Sequence, residues 1–258
     1  MEALLRFQDV SFSYHTLDGE TDVLSHISFE VKEGDFLAIV GPSGCGKSTI
    51  LSLIAGLLKP EEGSIFFHEQ LAAAHGTTAI GYMLQKDHLF EWRNIRKNAM
   101  LGLEIQRKKT KEHMDYVDTL LEKYGLEEFK TMRPSQLSGG MRQRAALIRT
   151  LALQPRLLLL DEPFSALDYQ TRLEVGNDIG MIIREEEKTA ILVTHDLSEA
   201  ISLGNRIIVL SDRPCTVKDE LQVVFPDGLS PLEKRNEPVF QEYFQSIWKE
   251  MRHHDGAA

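Results

Sequence analysis

Nine consecutive residues constrain this chain more than any other feature: Gly41-Pro42-Ser43-Gly44-Cys45-Gly46-Lys47-Ser48-Thr49, a match to G-x-x-x-x-G-K-[ST]. Glycines let successive backbone N–H groups turn inward around phosphate oxygens, a geometry that a β-carbon obstructs. The run follows Phe36-Leu37-Ala38-Ile39-Val40, which reads as a strand buried on both faces. It precedes Ile50, Leu51, Leu53, Ile54, Leu57 and Leu58 at helical spacing, a pattern that Pro60 stops. Strand, loop and helix in that order aim the positive end of the helix at the same anion. Lys47 then reaches the β- and γ-phosphates of a nucleotide and Ser48 ligates Mg²⁺. Cys45 reads as a small residue within the loop.

The pattern around this unit is that of an α/β fold. Residues 4–14 and 22–32 alternate polar and apolar, as half-buried strands do, with turns at Asp18-Gly19 and Glu33-Gly34-Asp35. Further buried strands are expected at 157–160, 190–193 and 207–210, with helical pattern between them, as in a parallel sheet. Residues 86–154 read as mostly helical, with Met114, Val117, Leu120, Leu121 and Tyr124 on one stripe and Gly125 as a C-cap. A C-terminal helix over about 237–252 carries Phe240, Tyr243, Phe244, Ile247, Trp248 and Met251 on one face, expected to pack on the core. The tail 253–258 reads as disordered.

The strand 157–160 ends in Asp161-Glu162-Pro163. Ligands of open α/β sheets sit beyond the carboxyl ends of the strands. Asp161 is therefore expected near the Mg²⁺, and Glu162 further out, toward an attacking water, as candidate general base.

Bulk composition narrows the class. The formal net charge is −10, which argues against a nucleic-acid binder and against unaided adhesion to anionic lipid. No apolar run approaches the roughly 18 residues that span a bilayer, and the N-terminus lacks the apolar stretch of a secretory signal. The two cysteines, Cys45 and Cys215, lie far apart and outside any CxxC, so neither a disulfide framework nor a zinc site is expected.

A phosphate loop alone fits a kinase, a GTPase, a helicase or a transporter ATPase. Residues 137–141 separate them. Leu137-Ser138-Gly139-Gly140-Met141, followed by Arg142-Gln143-Arg144, opens a second helix with an anion-binding N-terminus and resembles the signature motif of ABC ATPases. Other elements of that family follow in order. Tyr14 matches the aromatic that stacks on adenine, and Gln85 the glutamine that senses Mg²⁺ and water. Ser165-Ala166-Leu167-Asp168 matches the loop that crosses the dimer interface, and His195 the switch histidine that contacts the γ-phosphate. The resemblance covers essentially residues 4–212.

The resemblance implies a P-loop NTPase core with a mostly parallel sheet, an N-terminal antiparallel β subdomain and an inserted α-helical subdomain over about 86–154, all in one ABC ATPase domain. It implies ATP and Mg²⁺ as ligands, with Ser48, Gln85 and Asp161 at the metal, and Glu162, His195 and Gln85 in catalysis. Two subunits would pack head to tail, with Ser138, Gly139 and Gly140 completing the partner's nucleotide site. The chain would sit on the cytoplasmic face of the membrane beneath a permease, itself served by a solute-binding protein. Leu89, Phe90 and Trp92 are expected either to contact the permease or to be buried within the helical subdomain. Leu89-Phe90-Glu91-Trp92-Arg93 is similar to the Leu-Leu-Pro-Trp-Arg of nitrate, sulfonate and taurine importer ATPases, with Glu91 in place of proline. The cargo class is thus a nitrate-, sulfonate- or taurine-like solute or a vitamin precursor. The rival readings are an ABC ATPase of repair, translation or iron–sulfur assembly, an exporter ATPase and a non-enzymatic regulatory module. One cassette per chain weighs against a translation factor, the lack of a visible coiled coil or zinc module against repair, the Trp92 segment against iron–sulfur assembly, and intact Lys47, Glu162 and His195 against a regulatory module; importer and exporter are separated by whether a solute-binding protein is encoded alongside.

Overall fold

The computed structural model describes residues 3–17, 19–68, 70–71 and 79–252; Asp18 of the first expected turn and the tail 253–258 lie outside them. Strands β1 (Ala3–Thr16) and β2 (Gly19–Lys32) pair antiparallel. Their alternation places Phe7 and Phe29 opposite each other with stacked rings at 4.6 Å, a cross-strand pair that holds the register. β4 (Glu62–Phe67) joins the other edge of β1, and β5 (Gln70–Leu71) extends it, giving a four-stranded antiparallel sheet in the order β2-β1-β4-β5.

The second sheet has six strands. β3 (Phe36–Val40), β6 (Ile80–Met83), β7 (Leu157–Asp161), β8 (Thr189–Val193) and β9 (Arg206–Leu210) run parallel, and β10 (Val217–Gln222) adds an antiparallel edge. Their order is β10-β9-β3-β8-β7-β6. The central strands are continuous apolar runs because both faces are covered. One face meets the antiparallel sheet and helix α1 (Lys47–Ile54) in a shared core containing Phe7, Ile27, Ile50 and Leu159. The other packs against α5 (Gly139–Leu151) and α6 (Tyr169–Glu185) through Leu158, Leu160, Leu147 and Ile179.

The two edge strands were hidden in the sequence. β6 has four residues and includes Gly81, where a β-carbon would lie 2.5 Å from Thr150 Cγ2. β10 reads Val-Lys-Asp-Glu-Leu-Gln, and such charge suits an edge.

The stretch expected to be mostly helical contains α2 (Ile95–Ala99), α3 (Leu101–Ile105), α4 (Lys111–Lys123) and α5. Between α4 and α5 the chain is irregular save for a 3₁₀ turn at Pro134–Gln136. Gly125 ends α4 at φ 71°, and Pro134 has no N–H to continue a helix. Helix α7 (Leu197–Leu203) lies between β8 and β9. The short α8 (Pro231–Lys234) precedes α9 (Pro238–Arg252), which seats Phe240 and Ile247 against Ala200, Val209 and their neighbours. Trp248 of that face stays half exposed, ring-stacked on Phe244 at 6.3 Å.

Candidate nucleotide site

Four adjacent strands deliver the candidate groups to one end of the sheet. β3 leads into the glycine loop, β8 into His195, β7 into Asp161 and Glu162, and β6 into Gln85. Residues scattered over more than 150 positions therefore meet because β3, β8, β7 and β6 are consecutive neighbours.

The loop is built around a buried cation. Lys47 is 5% exposed, and its Nζ donates to the carbonyls of Gly41 at 2.9 Å and Pro42 at 2.8 Å. Gly46 has φ 126°, and a β-carbon there would lie 2.8 Å from Val23 and 2.9 Å from Leu24. Glycine at 46 thus satisfies both a conformation and a close approach.

Ser48 Oγ donates to Asp161 Oδ1 at 2.9 Å, joining the first residues of α1 to the end of β7. Tyr82, which the sequence reading passed over, donates from its hydroxyl to the other carboxylate oxygen at 3.3 Å. Its signal lies in register: on β6 it stands opposite Leu159, two residues before Asp161. Burial pushes the Asp161 carboxyl above the ordinary carboxylate range, opposed by the hydrogen bonds from Ser48 and Tyr82. A hydroxyl and a partly desolvated carboxylate are hard oxygen donors, and this pair fits a Mg²⁺ ion beside a phosphate cradle.

Glu162 adopts φ 44° although it is not glycine. A left-handed non-glycine residue costs about 1–2 kcal/mol. Its N–H donates to Val193 O at 2.9 Å, fastening the turn to β8. The carboxylate then lies 3.2 Å from His195 Nδ1. The sequence reading singled out both residues, and the structure brings them together.

Gln85 donates from Nε2 to Ser165 Oγ at 3.1 Å, and Ser165 Oγ donates to the Glu162 carbonyl at 3.0 Å. Gln85 is thus tied to the loop 165–168 rather than to Ser48 or Asp161. Tyr14 stands half exposed on β1, edge-on to Phe12 at 5.0 Å, with its hydroxyl 3.4 Å from Thr49 Oγ1.

The residues Ser138, Gly139 and Gly140 sit at the start of α5. Among the described residues no hydrogen bond or ion pair joins them to the glycine loop. Ser138 caps α5, its Oγ accepting from the Met141 N–H at 3.3 Å. Both glycines sit at close approaches within the chain: a β-carbon at 139 would lie 2.9 Å from Leu167 Cδ2, and one at 140 would lie 2.6 Å from Val175 Cγ2.

A polar network runs from this helix to the segment after Gln85. Arg142 Nε donates to Asp87 Oδ2 at 3.1 Å, and Arg149 donates to the carbonyls of Asp87 and His88, both at 2.7 Å. Glu91 accepts from the Ser135 N–H at 3.1 Å, three residues ahead of Ser138. The three expected contact residues divide: Leu89 is buried in the core, whereas Trp92 is 73% exposed and stacks on Phe90 at 4.6 Å.

Comparison with known proteins identifies the family. Residues 24–165 match the ABC transporter family model. The chain is 44% identical, over 96% of both chains, to an uncharacterised ABC transporter ATP-binding protein, YtlC, of Bacillus subtilis. It is 38% identical to the taurine import ATP-binding protein TauB of Jannaschia, over 89% of this chain and 86% of the relative. Among solved structures, it superposes with a TM-score of 0.72 on MJ0796, a dimeric ATP-binding cassette in a post-hydrolysis state bound to ADP and phosphate. The identity there is 30%, covering 86% of this chain and 100% of that one. No described helix is long and apolar enough to cross a membrane. The chain belongs to the ABC transporter family, as an ATP-binding and ATP-hydrolysing subunit related to the taurine-type importer ATPases.

Proposed function

We propose that this protein energises uptake of a small solute of the nitrate, sulfonate, taurine or vitamin-precursor class, working as a pair beneath a separate permease on the cytoplasmic face of the membrane. The observation that carries this reading is the division of the site. Lys47, Ser48, Asp161, Glu162 and His195 gather at one end of the sheet, while among the described residues Ser138 to Gly140 make no hydrogen bond or ion pair to them. A second copy, head to tail, would bring its Ser138 and the following N–H groups to the first copy's nucleotide.

In the hydrolytic step, water attacks the γ-phosphorus in line as the bond to the ADP oxygen breaks; phosphoryl transfer of this kind depends mainly on positioning and charge stabilisation. Lys47 and the N–H groups of the loop hold the β- and γ-phosphates. Glu162 orients the water and accepts its proton. His195, 3.2 Å from that carboxylate, holds it in place and reaches the terminal phosphate. Ser48 and Asp161 would hold Mg²⁺, with Gln85 joining them on closure. The ion supplies charge to offset that of the phosphates. Tyr14 stacks on the adenine. The energy of closure passes to the permease through Gln85, the Asp87–Arg142 pair and the exposed Trp92 face. A solute-binding protein would deliver cargo to the permease, and nucleic acid has no part.

The test is Glu162→Gln. With ATP and Mg²⁺ it is expected to elute at the mass of a stable dimer, because nucleotide joins the halves and is not hydrolysed. A monomeric profile under those conditions contradicts the sandwich. Purification from native membranes is expected to recover a polytopic permease, and recovery of only soluble assembly factors contradicts the transport role.

A further inference from the structure

An open cleft of about 530 Å³ lies at the amino end of β3 and β9, the end of the sheet away from the nucleotide site. Separate segments build it. Asn205 precedes β9, residues 223–229 follow β10, Arg184 comes from the last turn of α6, and Lys234 comes from α8. Hydrogen bonds tie these walls together. The Phe36 N–H donates to Asn205 Oδ1 at 3.0 Å, the Val223 N–H to Asn205 O at 2.9 Å, and Arg184 to Leu229 O at 3.0 Å.

The cleft holds a buried charge without a counter-charge. Lys234 is 8% exposed, yet among the described residues its ammonium makes no hydrogen bond and no ion pair; it lies 5.3 Å from the centre of the Phe225 ring. Lysine is almost never buried unless it is paired. The other cation of the cleft, Arg184, repels it. Burial, and after it the Arg184 charge, holds the Lys234 ammonium down to about 8, so it is still largely charged at neutral pH. Asn205 Oδ1 is taken by Phe36, so the amide presents Nδ2 as a donor, and no described residue accepts from it. Asp227 is the one carboxylate among the described lining residues; it is exposed and pairs with neither cation.

We propose that this cleft binds the oxyanion of a small organic acid, its oxygens on Lys234, Arg184 and Asn205 Nδ2 and its apolar body against Val223 and Phe225. The inference stands on the cleft alone and holds whatever the cargo of the permease.

The chemistry of the walls selects this class. An anion between the two cations cancels their repulsion and supplies the partner that Lys234 lacks. Arg184 gives one N–H to Leu229 and keeps the rest of its planar fork for oxygens. Val223 is buried and Phe225 half-buried, so the floor beside the cations is apolar. A few convergent polar groups on an apolar wall, in a cleft of this volume, suit a small molecule.

Full-length protein holding Mg²⁺ and a non-hydrolysable ATP analogue, which occupies the glycine loop, is to be titrated calorimetrically at low ionic strength with benzenesulfonate and with its neutral counterpart benzenesulfonamide. Expected are saturable one-to-one binding of the sulfonate, at least about tenfold weaker binding of the sulfonamide, and at least about tenfold loss of sulfonate affinity in Lys234→Met. Without ligand Lys234→Met should melt no lower than the parent, because methionine keeps the buried stem and removes the unpaired charge. Arg184→Gln, at an exposed position, should lose sulfonate affinity too, and it serves should methionine disturb α8. Absence of sulfonate binding to the parent, equal binding of the sulfonamide, or parent-like affinity in both variants would each overturn the proposal. So would binding that vanishes in Lys47→Ala and persists in Lys234→Met, since that places the anion on the glycine loop.

Discussion

Gly140→Ala separates two explanations of the Ser-Gly-Gly segment. If the glycines serve only a partner's nucleotide, the change leaves the isolated subunit as stable as before. The structure says otherwise. The new β-carbon would stand 2.6 Å from Val175 Cγ2, about 1 Å inside ordinary contact. Val175 is buried within α6, and a helical valine holds one χ1 rotamer about 90% of the time, so it has little room to turn away. Overpacking of this kind costs about 1–3 kcal/mol. From the middle of that range, about 2 kcal/mol, alanine regains up to about 1 kcal/mol of helix propensity, leaving a net loss of about 1–2 kcal/mol. At about 2–4 °C per kcal/mol for a chain of this size, melting without nucleotide should fall by about 2–8 °C. Gly139→Ala is the internal control: its contact, Leu167 Cδ2 at 2.9 Å, is the end of a flexible side chain that can move, and its expected shift is near zero. The assay is calorimetry of both variants and of Gly140→Ala combined with Val175→Ala, in which the second change relieves the first. Equal melting of Gly140→Ala and the parent would falsify the packing argument and leave the trans-contact account alone.

Tyr82→Phe removes a donor to Asp161 Oδ2 and should raise the half-saturating Mg²⁺ for ATPase activity about tenfold without lowering the rate at saturation; an unchanged Mg²⁺ curve contradicts the assignment. Glu91→Ala loses the acceptor for Ser135 N–H, which Glu91→Gln keeps. Permease-stimulated activity should fall several-fold in the first and survive in the second, with unstimulated activity equal; equal stimulation in both excludes a positioning role. Burial raises the Glu199 carboxyl above its ordinary 4.5, with Asp196 adding to it, while the Thr194 hydrogen bond, Arg172 and His195 pull it down. A raised folded-state value means stability that is present below the ordinary value and lost as pH rises through the folded one. Glutamine cannot ionise, so Glu199→Gln should gain melting temperature relative to the parent from about pH 4 toward neutrality, and a pH-independent difference rules this out.

Much of the site is legible in the sequence because its residues are punctuation in a periodic text. Buried strands read as apolar runs, and the residues just past each run are those the sheet presents at its carboxyl end. That is why Asp161 and Glu162 stand out at the end of their strand, whereas Lys47 is given by the glycine motif and His195 by the resemblance to ABC ATPases. The order β3-β8-β7-β6 could not be read from periodicity, which gives each strand but not which strand lies beside it. Tyr82 escaped for that reason: on a four-residue edge strand its only signal is its register against Leu159.

The glycines show the opposite limit, in which a sequence reading is right about type and incomplete about cause. Gly139 and Gly140 belong to a motif whose implied role lies in another subunit, yet inside this chain Gly140 also sets how closely α5 approaches Val175. The two roles are physically connected. Leu167 lies in the loop whose Ser165 binds Gln85, and Arg142, two residues past Gly140, binds Asp87, two residues past Gln85. A nucleotide pressed against the N-terminus of α5 would therefore act on a helix already keyed to both ends of the segment bearing Trp92. Close packing by small residues makes such a contact stiff, and a stiff contact moves a neighbouring element where a loose one merely absorbs the strain. On this argument Gly140, through its packing on Val175, helps the chain transmit such a contact.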